Sequence, residues 1–270
     1  MLTEATRLKE RLQDLGGNLV QKEEAFELAL EMMQHIGDTD PDLRDKLIYT
    51  KMFHMIKAQL FTNSELEHLL ILSVDDQHLF FRLGEEGTDS VFTRTFSVLI
   101  TALVLNRHNE NPFLSDAVFQ EVKSRVFQYA RRERDIRGYV EHQGWAHSVA
   151  HMADCLDELA LNEAAGKDDL TEILHIAQQK MMESRLVFDT EEDERMATAV
   201  VMVLKRGLHS YEELIAWLES WSDYKKTEDY NENFTVKINA KHFLRCLYFR
   251  LNGVSSGVTR EDIENVLVKL

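Results

Sequence analysis

Residues 134–158 read RDIRGYVEHQGWAHSVAHMADCLDE, and how this stretch is built decides how the chain is built. From Gly144 onward the spacing predicts a helix. At ~100° per residue, Trp145, Val149, Met152, Leu156 and Leu159 share one side. His147, His151, Asp154 and Glu158 share the opposite side. Ala146 and Ala150 lie on a flank, small enough for a second helix to come close. Just upstream, Asp135, Arg137 and Tyr139 occupy a loop that leads to the helix N-terminus, where the backbone dipole favours negative charge.

The same texture runs outward in both directions. Two prolines and 11 glycines leave few breaks, and Leu, Glu, Met and Ala are frequent, which favours helices. Helices are expected over residues 2–15 and 22–36, then from an Asp40 cap with Pro41 at the first position to about Leu60. Ser64 with Glu67 forms a capping box for the next. A helix from Asp89 through Val104 is apolar nearly all round after Phe96 and belongs in the core. Further helices follow Ser115, reach Leu161, span 168–187, and run from a Thr190/Asp193 cap to Gly207. Ser210 with Glu213 and Thr259 with Asp262 cap two more, and a long helix covers about 236–251 after a polar, aromatic loop at 222–234. No strand pattern competes. The fold class expected is all-α, an α-α superhelix or HEAT-like solenoid of antiparallel helix hairpins, with helix pairs repeating roughly every 40 to 50 residues. One domain is expected over 1–270: N-terminal helices at 1–37, a core at 40–210 and C-terminal helices at 211–270. In such a stack the helix after Trp145 sits near the middle, so its polar stripe would line the concave face.

Charge narrows the function. Lys plus Arg number 31 against 47 Asp plus Glu, a net charge of -16, which argues against nonspecific binding of nucleic acid. The longest apolar run, Phe96 to Leu105, is too short to span a bilayer. Residues 1–12 lack the apolar core of a signal peptide. Cys155 and Cys246 form no paired framework and read as reduced thiols, so a cytoplasmic protein with no membrane partner is expected.

Chemically, His147 and His151 stand one turn apart, and with Asp154 they make a conceivable metal-ligand set. The residue after the first His is Ser148 rather than Glu, so the zinc-protease pattern fails. The same side chains equally suit orientation of an anionic or hydroxylated ligand, and a stripe opposite an apolar face is often plain solvated surface. Against the last stand Trp145 and Tyr139, costly to leave in water, and histidine where this chain otherwise uses Glu and Lys. Arg94, near a helix N-terminus where the dipole disfavours it, is either a surface residue or a partner for a carboxylate of the central site. Arg195, behind the acidic run 191–194, is the one residue there considered for a site.

The segment Arg-Gly-Tyr at 137–139, then Gly-Trp-Ala-His-x-x-x-His-x-x-Asp at 144–154, resembles the signature of a bacterial domain-of-unknown-function family, DUF2785. Phe92-Thr93-Arg94-Thr95-Phe96-Ser97 and Asp193-Glu194-Arg195-Met196-Ala197 agree with it, apart from Thr95 where Ser is expected. The resemblance covers roughly residues 40–210 and implies an all-helical fold. It implies Arg94, Asp135, Arg137, Gly138, Trp145, His147, His151, Asp154, Asp193 and Arg195 as shared positions, without a role for any. Three functions are carried forward. The favoured one is a binding scaffold for a peptide, protein or small molecule, with no resident cofactor. The second is an enzyme using His147, His151 and Asp154, with or without a divalent metal. The third is a helical-repeat protein acting on nucleic acid, which the net charge disfavours.

Overall fold

The computed structural model describes residues 3–254 and 257–270. Among them the chain is all-helical but for one short hairpin, and it falls into two compact units, Met1–Cys155 and Leu156–Leu270.

The first unit begins with α1 (Glu4–Leu15) and α2 (Lys22–Gln34). A π-helical segment (Asp42–Tyr49) runs directly into α3 (Thr50–Lys57), where the sequence predicts one regular helix. The Asp40 carboxylate accepts from Asp42 N, so the expected cap is present ahead of the wider turn. Then come α4 (Asn63–Ser73), α5 (Ser90–Glu110) and α6 (Asp116–Arg132). The capping box of α4 uses Thr62 and Glu65, two residues before the expected pair, since Thr62 already has the extended backbone of an N-cap. α5 is the core element: Val91, Phe92, Phe96, Val98, Ile100, Val104 and Leu105 are all buried, as its continuous apolar character predicts. α3 and α4 pack on α5, α2 packs on α4, and α1 packs on the π-helical segment.

The stretch at 139–145 departs from expectation. It forms β1 (Tyr139–Val140) and β2 (Gly144–Trp145), an antiparallel hairpin pairing Tyr139 with Trp145 and Val140 with Gly144. The helix predicted from Gly144 starts four residues later, as α7 (Ser148–Leu161), because His142, Gly144 and His147 all adopt positive φ, at 66°, 78° and 51°. Left-handed residues stop a right-handed helix, and a three-residue turn with such residues closes a hairpin. The periodicity from 145 onward was real for 149–159 and accidental before it.

The second unit holds the C-terminal part of α7, then α8 (Lys167–Met181), α9 (Glu192–Lys205), α10 (Tyr211–Ser220), α11 (Tyr230–Arg250) and α12 (Arg260–Lys269). α9 packs against α8 and α11, and α12 against α10 and α11. Trp221 is buried and stacks on Phe243 at 4.6 Å and 7°. The capping boxes at Ser210/Glu213 and Thr259/Asp262 are those expected. At α9 the N-cap is Glu191 with φ 70°, rather than Thr190. The expected loop 222–234 is shorter than predicted, because Asp229 caps α11 by accepting from Asn231 N and Glu232 N.

Candidate functional site

The hairpin is fastened from two sides, and the fastening consumes most of the polar residues that the sequence singles out. Glu133, at the end of α6, takes Arg94 Nε and Nη2 at 2.5 and 2.9 Å. Arg94 is 0 % exposed, and its other donors reach Phe81 O, Arg82 O, Glu85 O and Ser90 Oγ. Its target is thus a carboxylate, but a structural one, and the guanidinium ties the 81–85 loop to the root of the hairpin. Asp135 is buried and accepts from Gly87 N, Arg137 N and the Arg137 guanidinium, the last at 2.6 Å. Arg137 Nη2 also donates to Thr88 O at 2.6 Å. Ser148 Oγ donates to Asp135 O, which places this loop at the N-terminus of α7.

The second clamp is Arg44, which sequence reasoning missed. It projects from the π-helical segment and is fully buried. Its Nη2 donates to Gln143 O at 2.7 Å and Trp145 O at 3.3 Å, and Nη1 donates to Asp38 O at 2.7 Å. The guanidinium lies over the rings of Phe92 and Phe96, 4.1 and 4.8 Å from their centroids. Nε stands 2.8 Å from Asp45 Oδ1, an ion pair without hydrogen-bond alignment. Burial raises the Asp45 carboxyl to about 6 despite that neighbour. The one sequence signal for Arg44 is a basic residue in the first turn of a helix that starts with Asp-Pro-Asp, and nothing local marks it as buried.

Between these clamps the aromatic and imidazole rings form a continuous column. Tyr139 meets Trp145 edge-on at 5.1 Å, and Trp145 stacks on His147 at 4.5 Å and 21°. His147 meets His151 edge-on at 5.5 Å, and His151 meets Phe96 at 5.2 Å. The column runs from surface to core: Tyr139 is 60 % and Trp145 39 % exposed, whereas both histidines and Phe96 are buried. Two expectations are corrected here. Trp145, placed on the buried side by helical periodicity, is the exposed one, because it lies on a strand. The histidine stripe is buried, because α7 is covered on nearly every side; Asp154 alone of the proposed trio is half-buried. His147 holds a left-handed backbone, worth about 1–2 kcal/mol of local strain, which the surrounding contacts sustain. Its N–H and that of Ala146 both donate to Gly138 O.

Among the described residues no group of three or more His, Cys, Asp or Glu is arranged to hold a metal ion. Asp193 and Arg195 belong to the second unit. There Asp193 Oδ2 accepts from Cys246 Sγ at 3.3 Å, and burial, with Asp193 and Glu194 nearby, pushes that thiol far above the usual range. The two cysteines are free thiols, Cys155 buried. A cleft of about 500 Å³ in the first unit is lined by His35, Gly37, Asp38, His78, Phe81 and Thr93, among others. His78 Nδ1 there lies 2.8 Å from Asp75 Oδ1. His35 and His78 lie far apart in the sequence, and only the fold brings them to one cleft. No helix among the described residues is long and apolar enough to cross a membrane.

Fold and site together define an all-helical protein with a clamped aromatic hairpin at the head of a buried helix. Residues 79–249 match the family model described as Protein of unknown function (DUF2785), and the chain belongs to that family. The match takes in every singled-out residue from Arg94 to Arg195 and continues through most of α11; Arg44 lies outside it. No curated protein and no solved structure matches the chain.

Proposed function

We propose that the first unit is a binding module whose recognition element is the 139–145 hairpin, presenting Trp145 and Tyr139 to a peptide or protein partner without turnover. The observation that carries this reading is an exposed Trp held in one orientation. Trp145 stacks on a buried imidazole, and its backbone is pinned by Arg44. Aromatic side chains fixed in advance lose little freedom on binding and dominate recognition surfaces. Asp135, Arg137 and Arg94 then serve as the hairpin's framework, and His147 and His151 as its backing. The HEAT-like reading is supported by the packing of consecutive helices, α4 on α5 and α8 on α9, and helical arrays of that kind commonly bind other proteins. The reduced state of both thiols supports a cytoplasmic setting.

A histidine-dependent reaction is the second reading, favoured by the strained backbone of His147, since such strain gathers at working sites. Affinity capture with wild type beside the Tyr139→Ala/Trp145→Ala variant, together with elemental analysis, separates the two. Binding predicts partners lost from the variant at unchanged folding, with no stoichiometric metal. A metal at one equivalent that disappears in His147→Ala supports the reaction instead.

A further inference from the structure

α11 concentrates positive charge on one face, in a chain whose net charge is -16. At ~100° per residue, Tyr230, Phe234, Ile238, Lys241, Arg245 and Tyr248 cluster on that face, with Lys237 and Phe249 at its edges. No Asp or Glu of α11 joins them; Glu232 points to the opposite side. Tyr230 is 75 % and Phe249 71 % exposed, and the rings of Tyr230 and Phe234 stack at 5.9 Å and 12°. Lys237 and Lys241 are half-buried and Arg245 is exposed, and no carboxylate among the described residues pairs with any of the three. Slight desolvation, then the charges of Lys237 and Arg245, hold the Lys241 ammonium below its usual range. At the C-terminal end Arg260 of α12 lies 5.0 Å over the Tyr248 ring, while the nearby Glu264 carboxylate raises the pKa of the Tyr248 hydroxyl.

Like charges one turn apart repel, and 47 acidic residues offer ample means of neutralising them. Solvated surface cations are common, but here they are flanked at both ends by exposed rings, which water does not favour. We propose that this face of α11 docks an acidic segment of a partner protein. The segment's carboxylates meet Lys237, Lys241 and Arg245, and its apolar side chains pack on Tyr230, Phe234 and Phe249. The three cations span about 12 Å, two helical turns, the length of a short helix with acids at one-turn spacing. A nucleic acid presents phosphates in an unbroken line, which needs a longer basic track than three cations provide.

The test uses the full chain and fluorescence anisotropy at low salt. The probes are a labelled helical peptide with Glu at one-turn spacing between Leu and Phe, a single-stranded oligothymidylate and phosphatidylserine vesicles. The peptide is expected to bind, more weakly as salt rises. Lys237→Glu/Lys241→Glu/Arg245→Glu is expected to reduce its affinity about tenfold or more, and Phe234→Ala roughly three- to tenfold. Arg245→Glu alone, at an exposed position, serves if the triple variant is unstable. The proposal is overturned if the peptide does not bind, if charge reversal leaves its affinity unchanged, or if only the oligonucleotide or the vesicles bind.

Discussion

At the scale of single residues, the molecule places its most expensive side chains behind the hairpin rather than on it. Arg44 and Arg94 are both buried, each surrounded by carbonyls and facing one carboxylate. Removing one partner of a buried ion pair leaves the other uncompensated. Arg44→Met is therefore expected to lower stability by about 3–5 kcal/mol and to speed amide exchange across 139–147. Arg44→Lys should recover little, since an ammonium cannot bridge Gln143 O, Trp145 O and Asp38 O at once. Denaturant unfolding and hydrogen exchange check both. In the second unit, Asp157 has a buried Oδ1 without a hydrogen-bond partner. Burial first, and Glu158 second, raise its carboxyl from 3.8 to about 6. Between those values the folded state binds the proton more tightly than the unfolded chain. Stability from this group thus falls as pH rises through the window, and the penalty is complete above about 6. Asp157→Asn is expected to gain about 1–2 kcal/mol at pH near 8 and nothing at pH near 4, read from melting curves across that range. An equal gain at both ends would contradict it.

At the scale of elements, helices were legible and the hairpin was not. α5 and α6 stand where apolar periodicity places them, with the Ser115 cap of α6 as expected, because propensity, capping and burial agree there. Residues 139–147 defeat the same reasoning for a physical cause. Their conformation depends on left-handed backbone at His142, Gly144 and His147, sustained by contacts with residues a hundred positions away. Histidine gives no notice of positive φ. The candidates from Arg94 to Asp154 lie in the hairpin's unit and Asp193 and Arg195 in the other, and the sequence did not make their packing readable: Trp145 is exposed and His147 buried, the inverse of the predicted faces. Gly144 is the one local signal for the hairpin. A Cβ there would stand 2.7 Å from Pro41 Cβ, on a backbone with φ of 78°. Gly144→Ala is expected to destabilise by about 2 kcal/mol or more and to unseat β2 from the π-helical segment. A thermal melt within a degree or so of wild type would show that the hairpin is not seated on Pro41.

At the scale of the whole molecule, the chain is an acidic helical protein with two distinct aromatic surfaces, one in each compact unit. Neither was visible as a surface in the sequence, since exposure is a property of the fold; only the composition, the net charge and the family were. The first surface rests on a prebuilt hairpin, and the second on a long helix whose Lys237, Lys241 and Arg245 pair with no carboxylate among the described residues. A binding role for the first unit requires the hairpin. Its most direct measurement is a calorimetric titration of a captured partner segment into wild type and into Trp145→Ala, with both proteins shown equally stable. The expected result is saturable binding to wild type, with affinity reduced about tenfold or more in the variant. Equal affinity for the two proteins would contradict it.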